Sequence, residues 1–123
     1  RSGSHADALD LVERSFSGLR GPSRHVAAML ARRNLTQPTV REVLDRLDRS
    51  DDLDPGDLAR LKMPVELWWG TAERALSERQ LDWFETHLPP HAAVYRPDGW
   101  GHAAFRERPA EVGDALLEFL RRL

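Results

Sequence analysis

The stretch Met63-Pro64-Val65-Glu66-Leu67-Trp68-Trp69-Gly70 restricts what this chain can fold into more than any other. It is nearly all apolar, too short for a helix, and bounded by a proline and a glycine, so it predicts a buried strand over Pro64 to Gly70. A second extended segment is expected at Ala92 to Tyr95, followed by a Pro97-Asp98-Gly99 turn. A helix from about Ser77 to His87 is expected between them. The order strand, helix, strand, helix predicts an α/β class with parallel strands. Ligands and catalytic side chains gather at the carboxyl edge of such a sheet. One acid, Glu73, falls just past the first strand, and one histidine, His102, follows the second strand in Trp100-Gly101-His102.

The preceding residues are patterned for helices. Leu9, Val12, Phe16 and Leu19 recur at spacings of three and four, on a helix that Gly18 or Gly21 would end. Pro22 and Ser23 open a second helix carrying Val26, Met29 and Leu30, which Asn34 can close. A third begins at Pro38, with Thr39 and Glu42 at capping-box spacing and Val40, Val43, Leu44 and Leu47 as its apolar stripe. Arg41, Asp45, Arg46, Asp48 and Arg49 form its wet face. Asp54 is the expected N-cap of a short helix opened by Pro55. The last helix starts at Pro109 and offers Val112, Leu116, Phe119 and Leu120 to the sheet.

Taken in order, these pieces resemble the C-terminal part of an α/β-hydrolase. The resemblance rests on Leu58 to Leu61, on Pro64 to Gly70 with Glu73, on the helix to His87 and on Leu88-Pro89-Pro90 leading to Val94. It continues through Gly101-His102, Glu107-Arg108-Pro109 and Phe119-Leu120. The departure is Glu73, where the family usually has aspartate; glutamate can also fill that place. Beyond residues 1–5, which read as a tag remnant, the resemblance implies 6–52 as a helical cap-like segment and 53–123 as the C-terminal part of the hydrolase core. It implies Glu73 and His102 as the acid and the base of a triad, with Trp100 as an aromatic that touches substrate. Asp98 and Glu107 compete with Glu73 for the histidine, and Arg74 competes with the histidine for Glu73. A small-molecule acyl substrate is implied, without a metal or organic cofactor.

The nucleophile of that chemistry stands in a Gly-x-Ser-x-Gly elbow upstream of the acid and histidine. No such string occurs among the 123 residues, and Ser17 lacks both flanking glycines. Arg1-Ser2-Gly3-Ser4-His5 reads as a cleaved-tag scar, and the chain does not open on methionine. The expectation is therefore a fragment whose elbow precedes residue 1, inactive by itself, from a parent serine hydrolase. The alternative is a hydrolase-like scaffold or small α/β interaction module in which Glu73 and His102 are structural. Two strands are marginal alone, so the chain is expected to self-associate through its sheet edge or to derive from a longer protein.

Composition bears on partners. A formal charge of −2, with acids and bases mixed, offers no basic field for nucleic acid. No run approaches the roughly 18 apolar residues of a membrane span. The absence of cysteine rules out disulfides and thiol catalysis and suits a cytoplasmic protein. His87 and His91 have the i, i+4 spacing of a metal pair, but Leu88-Pro89-Pro90 breaks the helix that would align them.

Overall fold

The computed structural model describes residues 4–48 and 51–123. In chain order its elements are α1 (His5–Ser15), α2 (Pro22–Leu35), α3 (Pro38–Arg46), α4 (Pro55–Ala59), β1 (Glu66–Trp68), α5 (Glu78–His87), β2 (Ala93–Tyr95), α6 (Ala104–Glu107) and α7 (Pro109–Arg121). The two strands are parallel, with Glu66 opposite Ala93, Leu67 opposite Val94 and Trp68 opposite Tyr95. The α/β class with a strand–helix–strand–helix unit is thus present.

β1 is shorter than the expected Pro64 to Gly70, but its backbone pairing reaches further in both directions. Ala93 N–H donates to Val65 O at 2.9 Å, Trp69 N–H to Tyr95 O at 2.9 Å, and Thr71 N–H to Pro97 O at 3.1 Å. The regular ladder stops where Gly70 and the Pro97 turn draw the two chains into loops. Side chains alternate across β1 as a strand requires. Trp68 packs edge-on against Tyr95 and Trp100, with ring centroids 6.5 and 5.9 Å away, and Trp69 faces Phe84 of α5 at 6.4 Å. Leu81 of α5 is the largest fully buried side chain among the described residues, at 2% exposure. Burial of one such side chain is worth about 2 kcal/mol.

α4 and α5 begin where the sequence marks them, while other helix ends differ. Asp54 caps α4 by accepting from Gly56 N–H at 2.6 Å, and Gln80 accepts from Ser77 N–H at the start of α5. Ser4 and His5, grouped with the tag remnant in the sequence, are the N-cap and first residue of α1, because Ser4 and Asp7 cap each other's backbone. Arg1, Ser2 and Gly3 lie outside the described residues, as does Arg49. α1 stops at Ser15 rather than at Gly18 or Gly21, since Phe16 is extended and turns in beside Ala8, Val12 and Ala28. α2 runs past Asn34 to Leu35, and the Thr36 hydroxyl donates to Arg32 O and Arg33 O. The Thr39–Glu42 capping box does not form. Gln37 is the N-cap of α3, Pro38 takes the first turn, and Glu42 pairs with Arg46 instead.

The core lies in two places. One is the small-residue seam of Ala8, Val12 and Ala28 between α1 and α2; the other surrounds the sheet with Trp69, Leu81, Trp100, Ala103 and Ala104. The α3 stripe expected to be buried stays open, with Val43, Leu44 and Leu47 exposed. On α7, Val112 and Phe119 are partly covered while Leu116 and Leu120 are exposed. A helix of 13 residues is about 20 Å long, and two strands about 5 Å apart cannot cover its face.

Candidate active site

Two loops meet at the carboxyl ends of β1 and β2. The glycine that closes β1 is what lets them meet: a Cβ on Gly70 would stand 2.1 Å from Trp100 O and 2.5 Å from Trp100 Cβ. No other residue leaves room for that approach. Ala72 N–H then donates to the same Trp100 carbonyl at 2.9 Å. Beside it, Gly99 adopts φ 69° in the turn after β2, Thr71 Oγ1 accepts from Gly99 N–H at 2.8 Å, and Thr71 Oγ1 donates to Asp98 Oδ1 at 3.0 Å. The two loops are therefore stitched through backbone atoms, which fixes the spacing of whatever side chains they carry.

They carry Glu73 and His102. His102 Nδ1 lies 2.9 Å from Glu73 Oε2. The other carboxylate oxygen, Oε1, accepts from Ala75 N–H at 2.6 Å and from Leu76 N–H at 3.1 Å. The Glu73 side chain is 9% exposed and that of His102 43%. Burial pushes the Glu73 carboxyl upward, but hydrogen bonds from Leu76, His102 and Ala75 and the attraction of the imidazole outweigh it, so its pKa is lowered from the ordinary value. An anionic Glu73 can accept only a donor, so the neutral imidazole carries its proton on Nδ1 and leaves Nε2 as a lone-pair acceptor.

The competing partners go elsewhere. Asp98 is taken by Thr71 in its turn. Glu107 accepts from Ser17 Oγ at 2.8 Å and from Gly18 N–H at 2.6 Å. Arg74 donates to Glu13 O of α1 at 2.7 Å rather than to Glu73. Trp100, expected at the substrate, has its ring among Trp68, Tyr95 and Glu111, whose Oε2 accepts from the indole N–H at 3.1 Å. The residue is 6% exposed, and its backbone carbonyl accepts from Ala72 N–H of the neighbouring loop. His87 Nδ1 and His91 Nε2 bond separate backbone carbonyls, Trp83 O and Met63 O. Among the described residues no three His, Asp or Glu side chains converge as a metal site, and no helix is long and apolar enough to cross a membrane.

Sequence reasoning missed the two backbone donors that hold Glu73, although an acid two and three residues before free N–H groups repeats the geometry of a helix N-cap. It also missed the Gly70–Trp100 approach and the Ser17–Glu107 bond, for which no local signal exists.

The chain has the fold of part of an α/β-hydrolase. In particular, it is similar in structure to 2-hydroxy-6-oxo-6-phenylhexa-2,4-dienoate hydrolase (BphD) from Rhodococcus sp. strain RHA1, with a TM-score of 0.70 at 21% sequence identity. The match covers 98% of this chain and 45% of that one, so the chain spans less than half the length of the solved structure. No family model matches the chain, and neither does any curated protein.

Proposed function

We propose that this chain carries the acid and the base of a serine hydrolase that cleaves an ester, amide or related acyl bond. The observation that carries the reading is the 2.9 Å contact between His102 Nδ1 and Glu73 Oε2, with Glu73 Oε1 held by two backbone N–H groups. In this reading Glu73 fixes the ring's orientation and tautomer. His102 Nε2 takes the proton of the attacking hydroxyl and returns it to the leaving group, and Glu73 stabilises the imidazolium between those steps.

The nucleophile and oxyanion donors come from sequence outside these 123 residues. No Gly-x-Ser-x-Gly string is present, and the Ser17 hydroxyl is bonded to Glu107. α1 to α3 then serve as a cap-like layer over the pair, and the 123 residues alone are inactive. The substrate is a small acyl compound, and the hydrolysis draws on no metal or organic cofactor. Trp100 serves the site through its backbone, which seats the histidine loop on Gly70.

The test is labelling by a fluorophosphonate. A longer polypeptide that includes an elbow should be labelled at its serine, and His102→Ala should slow that labelling roughly ten-thousand-fold. The 123-residue chain should stay unlabelled. Labelling indifferent to His102→Ala would favour the scaffold reading, in which the pair is structural.

A further inference from the structure

Glu107 lies at the end of α6, five residues beyond His102, and its carboxylate reaches neither the histidine nor solvent-side cations. It closes instead on the link between α1 and α2, on Ser17 Oγ at 2.8 Å and Gly18 N–H at 2.6 Å, across some 90 residues of sequence. That link rests on the residue before the histidine. A Cβ on Gly101 would lie 3.4 Å from Ser17 Cβ and Oγ on one side and 3.6 Å from Ala72 O on the other. Gly101 thus lies beside both the α1–α2 link and the loop that bears Glu73, with each at ordinary van der Waals distance from a Cβ placed there. Arg106, next to Glu107, adds a cation–π contact to Phe16 of the same link, 5.6 Å from the ring centroid.

The acid loop is tied to the same layer by Arg74, which donates to Glu13 O at 2.7 Å. One helical layer therefore holds both loops, the acid's through Arg74 and the base's through Glu107 and Gly101. We infer that Glu107 is a positioning residue: by holding Ser17 and Gly18 beside Gly101 it fixes where His102 stands relative to Glu73. Displacement of the α1–α2 link is then passed on to the imidazole through Gly101. This extends the acid–base reading above, but its test reads the ring itself and not turnover. A pair that proves non-catalytic leaves the positioning role intact, and a positioning role that fails leaves the pair's activity to its own test.

The experiment is nitrogen-15 NMR of the histidine rings in the 123-residue chain, comparing wild type with Glu107→Ala and Ser17→Ala. His87 and His91, bonded to Trp83 O and Met63 O, are internal controls on other parts of the fold. Glu107→Ala should speed exchange of the His102 Nδ1–H with water about tenfold, the size of one net charge-assisted hydrogen bond. Ser17→Ala, which removes one of the two partners, should move the same signal less and in the same direction, with the His87 and His91 rings unchanged in both. Exchange at His102 unaffected by both variants would overturn the inference. So would parallel changes at all three histidines, which mark general loosening. Should Glu107→Ala not fold, Ser17→Ala decides alone.

Discussion

The helical layer and the strand–helix–strand unit are built on opposite principles. α1 and α2 meet along small residues, Ala8, Val12 and Ala28, and α3 leaves Val43, Leu44 and Leu47 in the open. β1 and β2 are joined by backbone hydrogen bonds that continue past the strand ends to Thr71 and Ala72, and by a cluster of Trp68, Tyr95 and Trp100. Amphipathic pattern is enough to make a helix, but only a partner surface makes its apolar face stabilising. The pair of residues with chemical potential sits on the side where geometry is over-determined.

This contrast predicts a steep gradient of mutational cost. The largest effect is expected for Gly70→Ala, whose added methyl meets Trp100 O at 2.1 Å. The loops must part, and the loss should reach about 3 kcal/mol or more in urea denaturation, together with loss of the Glu73–His102 bond. Leu81→Ala, in the fully buried position of α5, should cost about 3 kcal/mol. A cost below about 1 kcal/mol at either position would break the comparison.

Glu73→Gln sharpens it at the site. A carboxyl whose folded pKa is lowered contributes stability above its unfolded pKa, and that contribution is lost as pH falls through the folded value. Wild type should therefore lose stability on the acid side in a way that Glu73→Gln does not share, while the two curves run parallel at neutral and higher pH. Equal acid limbs would mean that the hydrogen bonds to Glu73 do not favour its ionised form. At the bottom of the series, Leu44→Ala on α3, 50% exposed, should change stability by less than about 0.5 kcal/mol.

The unpaired outer edges of the two-stranded sheet give one more contrast among the described residues. Self-association through the sheet edge predicts sedimentation that shifts with concentration. A sharp monomer at all concentrations would remove that reading.

What could be read from the sequence follows from the range of the interactions. Strand positions, the Asp54 N-cap and the Pro109 helix start depend on neighbours a few residues apart, and the apolar run from Pro64 to Gly70 places Glu73 just past a strand end. His102 was legible for the same reason, as the histidine after the second extended segment. The Thr39–Glu42 capping box failed because Pro38 sets the first helical turn one residue earlier, with Gln37 as the cap. The packing of the Trp100 ring depends on Trp68, Tyr95 and Glu111 from three other segments, which no local pattern shows. The Ser17–Glu107 bond lies beyond any local pattern.

The most direct test of the central claim, that two strand-end loops hold an acid and a base ready for proton transfer, is the tautomer of His102 in its neutral form. Ring nitrogen-15 shifts in the wild-type chain should show the proton on Nδ1 and a bare Nε2, and Glu73→Gln should lose that preference. A proton found on Nε2, or a ring averaged between tautomers regardless of Glu73, would contradict the account.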